Sequence, residues 1–255
     1  MANILMSIRE RRVLTCQGSE IAKRWLGAPG STVKPLSLLA LLDAGKVNEN
    51  EEFECPGQLI LAGRSLNCSH PKVPVPMNVS RAIAYSCNCA VAHFAQRFAP
   101  GELEEALLRY GLASRSGLLP GAEAVGFAGA ETGAEQQLQA LGEQGVTATP
   151  LGLLAAYRRM ARRSADPKMR PIIEGMEGAV EFGTAQRARL QRVRVAGKTG
   201  SVRMPSGFQA AWFAGFAPSL LPEVAVVVLA QGRSGGSDAA PVAGRLLREY
   251  FGARA

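Results

Sequence analysis

The sequence predicts an α+β fold: an antiparallel sheet of about five strands flanked by helices, with a mainly helical lobe inserted between its two halves. Three observations carry this. Strand-like stretches fall at the two ends of the chain, over 3–8 and 11–16 and again over 192–203, 209–217 and 223–231. The stretch between them reads as helices and loops. An amphipathic stretch, 238–251, then closes the chain and can cover one face of the sheet. The chain is therefore read as a single domain, with an α/β lobe over about 1–45 and 186–255 and a helical lobe over about 46–185.

The two N-terminal strands are joined by a tight turn at Arg9-Glu10, and a link through Trp25 and Gly27 leads on to Pro29-Gly30. An apolar run, Leu36, Leu38 to Leu42, marks a buried helix closed by Asp43-Ala44-Gly45. Prolines and glycines make 46–80 irregular. Helical pattern returns over 78–98, broken near Tyr85-Ser86-Cys87-Asn88, and again over Glu102 to Tyr110, ended by Gly111. Residues 112–145 read as loop with a helical piece near 134–142. Thr149-Pro150 opens a helix through Ala161, with proline in the first turn. A further helix spans about 172–182 and ends at Gly183. In the closing stretch Val242, Leu246, Leu247, Tyr250 and Phe251 are expected inward.

At 255 residues the chain can bury a substantial core. No apolar run reaches the length of a membrane span, and the first residues are too short for a signal-peptide core. The net charge of +8 is concentrated in arginines over 158–170 and 187–203. No zinc-finger spacing or aromatic-rich basic strand accompanies them, so they read as a solvated face and no nucleic-acid partner is expected. The five cysteines, Cys16, Cys55, Cys68, Cys87 and Cys89, match no zinc spacing, and no metal is expected. Cys55 and Cys68 flank one loop and can pair in an oxidising compartment; Cys87 and Cys89, if helical, point to different faces.

The chemistry centres on Ser31-Thr32-Val33-Lys34. Placed at a helix start, Ser31 has free N–H groups and the positive end of the helix dipole nearby. Lys34, three residues on, shares its face. A serine hydroxyl becomes a useful nucleophile when a neighbouring base takes its proton, and a lysine with a depressed pKa can be that base. A Ser-x-x-Lys alone also describes a capping serine beside a surface lysine. Pro35 tells against that, since it disfavours helical geometry at Lys34, and such local conflict gathers at functional sites. Two further triplets follow: Ser86-Cys87-Asn88, about 50 residues on, and Lys198-Thr199-Gly200-Ser201 on a predicted strand, about 110 later. Each alone is commonplace; their order and placement together are not.

This set resembles the serine D,D-transpeptidase domain of penicillin-binding proteins, within the β-lactamase/transpeptidase-like superfamily. Glu54-Cys55-Pro56-Gly57, Gly145 to Leu151, Gly183-Thr184-Ala185 and Ala211 to Pro218 extend the resemblance over nearly the whole chain. The resemblance implies that Ser31 is the acylated nucleophile, Lys34 its base, and Ser86 the relay to the leaving amine. It implies that Asn88 holds the substrate amide and orients Lys34, that Lys198 and Thr199 bind a terminal carboxylate beside Gly200, and that Ser31 and Ser201 supply oxyanion N–H groups. It further implies peptidoglycan stem peptides, β-lactam antibiotics and cell-wall synthesis proteins as partners, no cofactor, and an extracytoplasmic location. A D,D-carboxypeptidase, a β-lactamase and a non-catalytic peptidoglycan-binding scaffold share the fold. No Glu-x-x-Leu-Asn segment lies between Asn88 and Lys198, which tells against a class A β-lactamase. His70 and His93 are expected to be structural.

Overall fold

The computed structural model describes residues 1–204 and 207–253. In chain order its elements are β1 (Ala2–Ser7), β2 (Arg12–Gln17), α1 (Ser19–Arg24), α2 (Lys34–Asp43), β3 (Ile60–Leu61), β4 (Arg64–Ser65), α3 (Val79–Ala84), α4 (Asn88–Ala95) and α5 (Glu102–Tyr110). There follow β5 (Phe127–Ala128), α6 (Gly133–Leu141), β6 (Val146–Thr147), α7 (Pro150–Ala161), α8 (Arg170–Glu181), β7 (Ala196–Arg203), β8 (Gln209–Ala217), β9 (Val224–Gln231) and α9 (Ala240–Gly252). The two chain ends build one antiparallel sheet in the order β2-β1-β9-β8-β7. The N-terminal hairpin thus docks onto the last strand, Ile4 opposite Val227, and leaves β7 as an edge. Both faces are covered, so β8 and β9 are apolar almost throughout rather than alternating. Trp212, Ala214 and Phe216 face one core, whereas Phe213, Val226 and Val228 face another under α9.

Several expectations need correction. The strand expected from Arg192 begins only at Ala196, and the link before Trp25 contains the short helix α1. The helix of the Leu36 run does not lie on the sheet: α2 packs chiefly against α4 and α5, and α7 takes the sheet face instead. That follows from its composition, since every residue from Lys34 to Leu42 is buried and an all-round apolar helix needs neighbours on all sides. In α9 only Leu247 of the five expected residues is fully buried. Ala240, Ala243 and Gly244 form the rest of the inner face; Val242, Leu246, Tyr250 and Phe251 pack at its margin.

The turn that carries Ser31 is held from several sides. Residues Gly30–Val33 form a 3-10 turn, and the α-helix proper starts at Lys34. Lys34 is helical (φ −52°, ψ −42°), contrary to the bias expected from Pro35, whose missing N–H falls in the first turn where no partner is needed. Trp212 Nε1 donates to Ala28 O (3.2 Å), Tyr157 Oη to Thr32 O (2.7 Å) and Gly30 N to Gly142 O (3.0 Å). Gly30 has φ +55°, and a Cβ there would sit 2.6 Å from Val202 Cγ2. Gly45 also has positive φ (+67°) but open space around it. Gly30→Ala is therefore expected to lower stability by about 1 kcal/mol or more beyond Gly45→Ala, because both carry the left-handed penalty and only the first adds a clash. Urea unfolding of the two variants checks this; equal losses would refute it.

Candidate active site

The edge strand β7 runs past the Ser31 turn closely enough that a Cβ on Gly200 would stand 2.7 Å from Pro29 O. Glycine at this point lets strand and turn approach, and a cavity of about 390 Å³ opens beside them. Ser31, Ser86, Asn88, Thr199, Gly200 and Ser201 all line it. Lys34 and Lys198 lie fully buried beneath, tied to the cavity through Ser86. All eight residues picked out from the sequence therefore belong to one neighbourhood, drawn from the Gly30–Val33 turn and α2, the α3–α4 junction and β7.

Ser86 is the hub. Its hydroxyl oxygen accepts from Lys198 Nζ (2.8 Å) and Lys34 Nζ (3.3 Å), and its carbonyl accepts from Lys34 Nζ (2.8 Å). Ser86 has φ +56°, a left-handed conformation that costs a non-glycine residue about 1–2 kcal/mol and is found where a turn must aim a side chain. Lys34 Nζ also donates to Asn88 Oδ1, while Asn88 Nδ2 donates to Leu66 O (2.9 Å). The Asn88 amide is thus engaged at both ends. In this arrangement it orients Lys34, and Nδ2 also approaches Asn67 O (3.4 Å).

The electrostatics are unusual. Burial pushes the Lys34 ammonium down to about 8, and burial together with the charge of Lys34 holds Lys198 well below the usual lysine range. Among the described residues neither lysine forms an ion pair within 4 Å. Two buried amines without a carboxylate partner make a site in which an arriving anion would stabilise the protonated form. Thr199 Oγ1 donates to Thr184 Oγ1 (2.7 Å), and Gly235 N donates to Ser201 Oγ (2.9 Å), so both β7 hydroxyls are fixed in orientation.

Five further residues line the cavity, among them Gly236, and of these only Glu143 was considered for a site role from the sequence, as one of four carboxylates (with Glu102, Glu104 and Glu131) to test as a base should hydrolysis be seen. Thr184, Ser234 and Ser69 contribute hydroxyls, and Glu143 contributes a carboxylate. Thr184 was visible in Gly183-Thr184-Ala185, but nothing in that triplet says that it faces β7. Glu143 reaches the cavity because the Gly142 cap of α6 packs on Gly30, where a Cβ would meet Gly30 O at 2.0 Å. Burial raises the Glu143 pKa; Arg64, 3.3 Å away, and the charge of Lys34 pull against that rise.

A family model, the penicillin binding protein transpeptidase domain, matches residues 26–248. The chain belongs to this family. The match takes in the Ser31 turn, the Ser86 turn and β7 together. Stage V sporulation protein D of Bacillus subtilis (strain 168) is 25% identical over 267 residues, covering 87% of this chain. The chain spans 41% of that relative's length. Among solved structures, the transpeptidase domain of Burkholderia pseudomallei penicillin-binding protein 3 superposes with a TM-score of 0.88 at 22% identity, covering 99% of this chain and 87% of that one. Pseudomonas aeruginosa PBP2 in complex with WCK 5153 superposes at 0.86 with 21% identity, covering 98% and 73%. At these identities the superpositions establish the transpeptidase fold. Among the described residues, no helix is long and apolar enough to cross a membrane.

Proposed function

We propose that this transpeptidase domain is a serine D,D-transpeptidase that cross-links peptidoglycan stem peptides through an acyl-enzyme on Ser31 and binds β-lactams at the same hydroxyl. The observation that carries the proposal is the shared hydroxyl of Ser86, which accepts from both buried lysines beside the Ser31 turn. In this reading Lys34, in its neutral form, takes the Ser31 proton as the hydroxyl attacks the carbonyl between two D-alanines. The oxyanion is received by the N–H groups of Ser31 and Ser201. Ser86 passes a proton to the departing amine, and Lys198, whose protonated form the arriving anion favours, receives the terminal carboxylate with Thr199. Asn88 keeps Lys34 aimed. A stem-peptide amine then attacks the ester, restores the Ser31 hydroxyl and leaves the cross-link. The unpaired edge of β7 is suited to take the donor peptide as an added strand. Such substrates place the domain outside the cytoplasmic membrane, with other cell-wall synthesis proteins as partners.

Glu143 supports a second reading, hydrolysis, as in a carboxypeptidase or β-lactamase. The sequence offered no motif-borne carboxylate, yet the cavity has one. Its ion pair with Arg64 ties up the carboxylate and lowers its basicity, which makes it a poor base for water. The expected result with a chromogenic cephalosporin is therefore a burst near one equivalent followed by little turnover, unchanged in Glu143→Gln. General-base help is worth about 10²–10⁴-fold, so its use would be plain. Sustained hydrolysis that Glu143→Gln removes would establish the second reading.

A further inference from the structure

Four of the five cysteines, of which Cys55 and Cys68 were expected to be able to pair, come together with a histidine behind the Ser86 turn. All five are thiols. Cys55 Sγ lies 3.7 Å from Cys68 Sγ and 3.4 Å from Cys87 Sγ; Cys68 and Cys87 are 3.7 Å apart; and His70 Nε2 is 3.7 Å from Cys55 Sγ. The four donor atoms of Cys55, Cys68, His70 and Cys87 all lie within 4.8 Å of one another. A disulfide requires sulfurs about 2.05 Å apart. A zinc ion bound tetrahedrally by thiolates at about 2.3 Å requires sulfurs about 3.7–3.8 Å apart, the edge of that tetrahedron. Two of the three separations match the second figure, and the third, 3.4 Å between Cys55 and Cys87, lies far nearer to it than to a disulfide.

Three further features suit a metal. His70 Nδ1 is 2.8 Å from Pro71 O, which can only accept, so Nδ1 carries the ring proton and Nε2, on the cysteine side, has its lone pair available. Backbone N–H groups donate to two of the sulfurs, Gly57 N to Cys55 and Ala90 N to Cys87, each at 3.4 Å, as suits anionic sulfur. Cys89, 3.5 Å from Cys68, donates instead to Gln58 O, which gives it a place beside the donor set rather than in it. Three thiols and an imidazole form a soft donor set of the kind that selects zinc over magnesium or calcium.

The geometry points to a Zn²⁺ site built from Cys55, Cys68, His70 and Cys87 that clamps the Ser86–Asn88 turn from behind. Binding deprotonates the three thiols, whose protons pass to solvent, and the imidazole contributes its lone pair with no redox change. Cys87 lies between the two residues that hold Lys34, and Asn88 Nδ2 bonds Leu66 O two residues before Cys68. The metal would thus tie the irregular 55–70 segment to the turn and hold Ser86 at its left-handed φ. The clamp's effect on acylation rests on the function proposed above; the site itself does not.

The test uses the whole chain, purified with added zinc and then dialysed. Elemental analysis is expected to give about one zinc per chain, and Co²⁺ exchange the absorption of a tetrahedral thiolate site. Cys55→Ser and His70→Gln are expected to weaken zinc binding at least tenfold, while Cys16→Ser, on β2, leaves it intact. Because a cysteine variant can fail to fold, the unmodified chain is also stripped with a chelator and reloaded. Stripping is expected to speed amide exchange over 86–90 and slow penicillin labelling at least tenfold, both reversed by zinc. No zinc uptake, or a disulfide among Cys55, Cys68 and Cys87 in the zinc-replete protein, overturns the site. Bound zinc with unchanged exchange over 86–90 on stripping overturns the clamp. Bound zinc with slowed exchange but no labelling in any state upholds site and clamp and removes the proposed function instead.

Discussion

Ser31→Ala is expected to give no covalent adduct with any penicillin, read as intact mass after long incubation, while the unmodified chain takes up about one equivalent. The loss should be complete rather than partial, because the ester bond has no other atom to form on. Of the other serines lining the cavity, Ser86 alone is bonded to a lysine among the described residues, so it is the alternative nucleophile. Its hydroxyl already accepts from the Nζ atoms of both lysines, which lowers the electron density available for attack, and its strained backbone fixes it in place. Ser31 has the better surroundings, on a 3-10 turn that leads directly into the positive, N-terminal end of α2. The fold should survive, since Ser31 is half-buried and the turn is held by Trp212, Tyr157 and Gly142 through backbone carbonyls. An adduct on Ser31→Ala, mapped to Ser86 or elsewhere, would refute the assignment; a fluorescent penicillin read at the same time against unfolding temperature separates lost chemistry from lost structure.

What was legible in the sequence divides along a physical line. The strands at the two ends were legible because Val224 to Leu229 and Ala210 to Ala217 are apolar runs of strand length bounded by turn residues. Their pairing order was economical but not forced, and the N-terminal hairpin docking on β9 is a long-range event with no local signal. The start of β7 was misjudged because alternation in 192–195 continues into the strand, whereas the backbone there is irregular. The position of α2 was misjudged for a related reason: an all-apolar helix announces burial but not its neighbours.

At the site, motif order carried most of the information, since each of Ser31, Ser86 and Lys198 comes with a partner at fixed spacing. Glu143 and Thr184 have no such partner in sequence; they meet the cavity through the Gly142–Gly30 contact and the β7 register. The sulfur cluster was hidden more thoroughly. Zinc spacings are recognisable when ligands come in close pairs on two knuckles. Here Cys55, Cys68 and His70 come from one irregular segment and Cys87 from a helix start beyond it, so the set exists only once α3 has folded back. Reading Cys55 and Cys68 as a pair identified two true neighbours and missed what they surround.

The second large effect concerns Lys34. Acylation is expected to rise about tenfold per pH unit up to about pH 8 and then level off, because the neutral amine is the base and its pKa is lowered from 10.5 to about 8 by burial. At pH 7 a lysine so shifted is neutral roughly 10²-fold more often than an ordinary one, which is the catalytic value of burying it. The titrating and charged neighbours that bear on it are Lys198, Glu143 and the thiols of Cys68, Cys87 and Cys89. Lys34→Met should lower acylation by about 10²–10⁴-fold and abolish the pH dependence. Stability should move far less. A lysine whose folded pKa is depressed binds fewer protons folded than unfolded between about pH 8 and 10.5, so it penalises the fold below pH 8 and the penalty lifts as pH rises through that window. For a fully buried group this penalty is on the order of 3 kcal/mol. Methionine removes it, yet leaves Asn88 Oδ1 and Ser86 O without their donor, at about 1–3 kcal/mol. The two terms oppose each other at similar size, so thermal unfolding at pH 7 should change by only a few degrees while labelling nearly vanishes. Retained, pH-dependent labelling in Lys34→Met would move the base elsewhere, and Lys198, which shares the Ser86 hydroxyl, would be the residue to test next.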